Sequence, residues 1–146
     1  MRRLFLFLFL NVLPFYAWAD NLAIIENGKW AWPIVEVVDG DTIRLLVPNL
    51  PSAVQYFSIR IKGVDTPELP PKAKCVEEAS LALQARQFTW NFLKQGPIHI
   101  EALKPDKYGN RWLGDVFAKN ENLSEALLKA GLAQPYKGDK RQGWCG

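Results

Sequence analysis

Among 146 residues, 18 Lys and Arg face 15 Asp and Glu, so a formal charge of +3 is too small to argue for a nucleic-acid partner on charge alone. The length allows one domain with a modest core. One histidine and two cysteines exclude chemistry built on paired histidines and make a poor zinc site.

The chain opens with MRRLFLFLFLNVLPFYAWAD. Arg2 and Arg3 form a positive start, an apolar run follows to Tyr16, and Ala17-Trp18-Ala19 gives an A-x-A cleavage pattern. The apolar run is too short to span a bilayer and Pro14 interrupts it. We read residues 1–19 as a signal peptide cut after Ala19, and 20–146 as a single mature domain. The expected location is secreted or periplasmic, with no stable membrane association after cleavage. Without Arg2 and Arg3 the net charge falls to about +1. Export agrees with the cysteines: Cys75 and Cys145 have only each other as partners, and a secreted chain favours the bridge.

Residues 33–48, PIVEVVDGDTIRLLVP, read as two β-branched strands around Asp39-Gly40, a hairpin signal. In 54–64, VQYFSIRIKGV, Tyr56, Ser58, Arg60 and Lys62 alternate with Phe57, Ile59 and Ile61, which predicts a third strand with Arg60 on its polar face. Pro67, Pro70 and Pro71 then force a loop. Residues 75–95 predict a helix, with Gly96 as its C-cap and Pro97 beyond. Residues 98–103 and 111–118 read as strands around the turn 104–110. A second helix follows over 122–131, with Asn122 as N-cap and Gly131 closing it. Three strands, a helix, two strands and a helix predict an α+β fold, a five-stranded OB-fold β-barrel with two main α-helices. A plain α+β sandwich gives the same string. Trp30 and Trp32 fall in a segment with no assigned element, and His99 reads as a half-exposed strand residue.

Four acids flank strand ends. The turn itself explains Asp39 but does not demand Asp41. Asp65-Thr66-Pro67 also reads as a capped turn, with Asp65 accepting local N–H bonds, and Glu68 by itself carries no signal. It is the four together that point to a site. Carboxylates without nearby sulfur or imidazole suit a hard cation, calcium or magnesium. Beside Arg60 such a group can hydrolyse a phosphodiester: an ion offsets phosphate charge, the glutamate activates water and the guanidinium holds developing charge. The basic clusters Lys104, Lys107 and Arg111, and Lys137, Lys140 and Arg141, read by themselves as solvated faces.

VVDGDTIRL, RIKGVDTPE, DKYGNRWLG and LLKAGLA together, over about residues 34–137, resemble the staphylococcal nuclease (thermonuclease) family. The resemblance implies an OB-fold and a calcium-dependent nuclease cutting DNA and RNA with little sequence specificity. It favours Ca2+ over Mg2+. By motif it implies Asp41 and Asp65 as metal-binding carboxylates, with Thr66 contributing its carbonyl. Glu68 would be the general base and Arg60 the guanidinium on the scissile phosphate. Lys107 and Tyr108 would contact substrate phosphate, and Tyr136 would pack on the substrate. The family's second catalytic arginine directly follows the glycine of KYG; Asn110 stands there in this chain, so the resemblance passes the role to Arg111, one residue later. The chain ends soon after the second helix, without the family's long C-terminal helix, and a Cys75–Cys145 bridge would take over its clamping role. A monomer is expected. The alternative function is a non-catalytic OB-fold module that binds single-stranded nucleic acid, although such a module has no use for an acid cluster that repels phosphate.

Overall fold

Alternating apolar residues and two glycine turns build most of this architecture. A computed structural model of the chain describes residues 22–25, 28, 30–109 and 111–146, so the signal segment 1–19 and Asn110 lie outside the described residues. The strands are β1 (Leu22–Ile25), β2 (Trp30–Asp39), β3 (Thr42–Leu46), β4 (Tyr56–Ile61), β5 (Val64–Asp65), β6 (Ile98–Pro105), β7 (Arg111–Ala118), β8 (Glu121–Asn122) and β9 (Gln134–Pro135). The helices are α1 (Val76–Leu93), between β5 and β6, and α2 (Leu123–Lys129), between β8 and β9.

The sheet runs β4-β3-β2-β1-β6-β7-β8 and closes on itself where β4 pairs with β7. Two of its seams are parallel, β1 with β6 and β4 with β7. The result is the expected α+β fold, a closed six-strand barrel of OB type with two helices. The sixth strand is β1, whose Ala23 and Ile25 point into the core. It escaped the sequence reading because four residues with two apolar side chains inward make a weak periodic signal. Trp30 and Trp32, unassigned from sequence, open β2. Ile43, Leu45, Ile59, Ile61, Ile100 and Val116 fill the barrel interior. Trp32, Phe57 and Trp112 pack in series, with ring centroids 5.7 and 5.5 Å apart, against the core.

Helix α1 lies on the barrel with a face of small residues: Ala82, Ala85 and Thr89 are fully buried. Small side chains let the helix come close, and polar groups then fasten it to the first hairpin. The Thr89 hydroxyl donates to the Gly40 carbonyl at 2.6 Å and Arg86 Nε to the Val37 carbonyl at 2.9 Å. Cys75 is the N-cap, its sulfur accepting from the Glu78 amide. The helix stops at Lys94, where the Lys94 amide bonds to the Asn91 carbonyl and the Gln95 amide to that of Phe92, so Gly96 is not its cap; a β-carbon there would strike the Lys119 side chain. Asn122 caps α2 as expected, accepting from the amides of Ser124 and Glu125, and Gly131 follows with φ +69°.

After α2 the chain turns back across the barrel mouth. β9 pairs with β5, Gln134 opposite Asp65, and the Tyr136 amide donates to the Gly63 carbonyl. The tail ends at the Cys75–Cys145 disulfide, which joins it to the start of α1.

Candidate active site

The site begins at the β2–β3 hairpin. Asp39 Oδ1 accepts from the Asp41 amide at 3.1 Å, the turn role its position suggests. Asp41 points inward and is almost fully buried. Its Oδ1 accepts from the Thr42 hydroxyl and from Arg60, and its Oδ2 from the Thr66 amide at 2.9 Å. β4 and β5 bring the other half. Arg60 spans the two acids, Nη1 to Asp41 Oδ1 and Nη2 to Asp65 Oδ1, both at 2.8 Å.

Arg60 differs from its expected setting. Strand alternation placed it on a polar face, yet it is buried, with only 5% of its surface exposed. The returning tail explains this: the Tyr136 ring lies 5.6 Å from the guanidinium carbon, and β9 covers β5 next to it. Period-two reasoning identifies the face of a strand but not what later covers it.

Burial governs the charges here. Desolvation, then the neighbouring Asp39 carboxylate, pushes Asp41 up to about 7 against the opposing pull of Arg60 and the hydrogen bonds from Thr66 and Thr42. Asp65 is also raised, by burial first, with Arg141 opposing. The two acids are thus held where burial makes their charge costly, and the guanidinium groups of Arg60 and Arg141 offset that only in part. Its donors are carboxylate oxygens, and the Thr66 backbone sits beside them, a set that suits a hard divalent cation. The residues present fit such an ion. Among the described residues, the group whose Cys, His, Asp or Glu ligand atoms all lie within 4.8 Å of one another is Cys75, Glu78 and Cys145, and its two sulfurs are spent in the disulfide.

Two residues that the sequence reading passed over organise the loop bearing Glu68. Buried Glu78 accepts from the amides of Lys74 and Glu68, at 2.7 and 3.3 Å, and so ties the proline-rich loop to α1. Arg141, from the tail, pairs with Glu68 Oε1 and places Nε 3.1 Å from Asp65 Oδ1. Burial works against the charge of Arg141, but Glu68 and then Asp65 raise its pKa above the ordinary arginine value. Glu78 has a helical spacing that looks like any solvated first-turn acid. Arg141 lies in a basic tail with no periodic pattern. Only the chain's return path could have marked either one.

Next to the acids opens a cleft of about 530 Å³ whose lining includes Arg60, Arg111 and Arg141 with Lys62, Lys104, Lys107 and Lys137. Asp106 is the acidic residue in that lining. Lys107 lies 5.1 Å from the Tyr108 ring centroid and donates to the Gly138 carbonyl, which joins the segment after β6 to the tail. Strand β6 itself runs to Pro105, so 104 and 105 belong to the strand and not to the turn expected there. Tyr108 is exposed and Tyr136 half-buried on the same cleft. Arg111 faces the cleft too, but both its Nε and its Nη2 are 2.6 Å from Asp106 Oδ2, and these bonds hold it on the β6–β7 side. Lys104, Lys107 and Arg111 of one basic cluster and Lys137 and Arg141 of the other thus converge on one concave surface, while Lys140 lies outside its lining. His99 is half-buried and stacks on Phe117 at 4.6 Å.

The molecule is thus an OB-type barrel with buried acids at the rim of a basic cleft. The family model described as staphylococcal nuclease homologue matches residues 58–143, and the chain belongs to that family. The match spans Arg60, Asp65, Thr66 and Glu68; Asp41 precedes it in sequence and joins them in space. The chain is also 26% identical over 133 residues to Protein ParB of Escherichia coli, covering 82% of this chain and 67% of that one. It is 26% identical over 144 residues to a probable endonuclease of Schizosaccharomyces pombe, covering 81% of this chain and 62% of the yeast protein. The chain thus spans about two thirds of the length of these relatives.

Proposed function

We propose that this chain is a secreted, calcium-dependent nuclease that hydrolyses phosphodiester bonds of DNA and RNA with little sequence preference. One observation carries the reading: two buried carboxylates, Asp41 and Asp65, are bridged by Arg60 at the edge of a cleft lined by lysine and arginine. The basic lining attracts a phosphate backbone without reading bases. The acids, which repel that backbone, serve no purpose in a pure binding surface.

Asp41, Asp65 and the Thr66 carbonyl would hold the ion. When bound, calcium supplies charge neutralisation and polarisation at the phosphate. Glu68 accepts the proton of the attacking water through a carboxylate oxygen. Arg60, with Arg111 once Asp106 releases it, donates hydrogen bonds to the phosphate oxygens as charge builds on them. Lys107 and Tyr108 hold a neighbouring phosphate, and Tyr136 packs on the substrate while covering Arg60.

The test is incubation of the purified mature protein with single-stranded DNA and with RNA, in calcium, in magnesium and in chelator. Cleavage that needs calcium is expected, and Asp65→Asn should abolish it. Retention of the oligonucleotide without cleavage in every condition would leave a nucleic-acid binding module in place of an enzyme. For export, immunoblots of cell, periplasmic and medium fractions should find a chain about 19 residues shorter than the full sequence outside the cytoplasm.

A further inference from the structure

The disulfide-anchored tail delivers a guanidinium to a place that the reaction cannot leave empty. Arg141 touches both Asp65, an acid of the proposed cation site, and Glu68, the proposed base. A scissile phosphate has to lie between the cation and the water that Glu68 activates. A phosphate in that place would come within reach of Arg141. The side chain is 41% exposed, and a guanidinium offers a phosphate two parallel donors. Arg111, by contrast, is held by both bonds to Asp106.

No helix or barrel strand carries Arg141. Between β9 and the last residue the tail is fixed at four points besides Arg141 itself: the Tyr136 amide on Gly63, the Gly138 carbonyl on Lys107, the Gly143 carbonyl on the Gln134 side chain at 3.5 Å, and Cys145 on Cys75. The bridge is the only covalent one, and it lies four residues past Arg141. Arg141 reaches the acids from a tail that is closed at both ends, and opening the bridge removes one end.

We propose that Arg141 is a phosphate-gripping arginine of the active site, put in place by the Cys75–Cys145 bridge, so that full turnover requires the oxidised protein. This rests on the nuclease reading above.

The experiment compares wild type, Arg141→Gln and Arg141→Lys, each oxidised and after reduction with a phosphine, in calcium. Two readouts are taken: cleavage of a labelled single-stranded DNA, and calorimetric binding of a thymidine monophosphate, which cannot be cleaved further. Thermal melts confirm that each variant is folded. Arg141→Gln should lose about 10²-fold in kcat, the usual effect of removing one charge-stabilising donor. It should also bind the mononucleotide more weakly. Arg141→Lys should recover part of both losses. Reduction should bring wild type toward the Gln variant while leaving that variant unchanged, the non-additivity expected of two changes acting through one contact. Arg141→Gln within twofold of wild type in both readouts, or faster than it, overturns the proposal; the faster case makes Arg141 an obstruction. Unchanged turnover of reduced wild type overturns the role of the bridge. Wild type that binds the mononucleotide through Arg141 but cuts no DNA would refute the nuclease reading and leave the phosphate contact standing.

Discussion

Gly40 and Thr66 are pressed together: a β-carbon on Gly40 would come within 2.8 Å of Thr66 Cγ2, and within 2.7 Å of the Ala85 β-carbon on the other side. The glycine of the Asp-Gly-Asp turn is therefore required by its neighbours, since its φ lies outside the left-handed range that usually calls for glycine. Gly40→Ala should force α1 or the Thr66 loop outward. The expected cost is about 1–3 kcal/mol of stability, together with weaker calcium binding as Thr66 moves off Asp41. A thermal melt and a calcium titration check both, and an unchanged melt would show that the contact is loose.

Arg60 and Glu68 should separate stability from chemistry. Arg60→Gln leaves Asp41 and Asp65 buried without their shared guanidinium, and losing one partner of a buried ion pair costs about 3–5 kcal/mol. Glu68→Gln lies on a half-exposed loop and should melt within about 0.5 kcal/mol of wild type, while its turnover falls by roughly 10²–10⁴-fold. From sequence alone Arg60→Ala and Glu68→Ala are both expected to fold normally; the burial of Arg60 revises that at Arg60. Denaturant melts beside a DNA cleavage assay decide the matter.

The raised Asp41 carboxyl makes the calcium-free protein more stable in mild acid. Its ordinary value is 3.8 and its folded value about 7, so between these the folded chain keeps a proton that the unfolded chain gives up. The stabilisation from this group is complete below the lower value and lost as pH rises through the upper one. In chelator the melting temperature at pH 5 should exceed that at pH 8 by at least ~3 °C. Asp41→Asn should flatten the difference, and saturating calcium, which favours the ionised carboxylate, should shrink or reverse it. A wild-type melt in chelator that rises toward pH 8 contradicts the assignment.

Lys107 tests the cleft separately from the acids. Lys107→Gln should weaken single-stranded DNA binding about equally for all sequences. It should also reduce the slope of log K against log salt by about 0.7, the contribution of one phosphate contact. Fluorescence anisotropy across a salt series in chelator measures both. A variant with an unchanged slope would place Lys107 off the phosphate path.

Much of this was legible because the acids sit in compact local patterns. Asp41 follows a turn that does not need it, and Asp65, Thr66 and Glu68 end a strand around Pro67, so their types and spacing point to one locality. The main strands were legible through their apolar alternation, apart from β1, which is too short to show a period, but alternation does not tell a closed barrel from a sandwich. What stayed hidden arises from the chain's return path. The burial of Arg60, the convergence of Lys107 and Lys137 on one cleft, and the reach of Arg141 to Glu68 all depend on β9 pairing with β5. That pairing involves Gln134 and Pro135, two residues without any strand signature. A net charge near zero likewise concealed a cleft dominated by positive charge, because a sum over the chain says nothing about where charges meet.

The two parallel seams have a further consequence. Ala23 finds its neighbour at Ile98, and Ser58 finds its neighbour at Arg111, so the barrel is sealed by strands far apart along the chain. A chain cut off before residue 98 would carry Asp41, Arg60, Asp65 and Glu68 in full, but its β1 and β4 would be bare edges with no strand to complete them. Such pairings form late and cooperatively, since a long loop must close before any contact repays it. Incomplete chains would therefore carry every acid of the proposed site on a barrel that cannot seal.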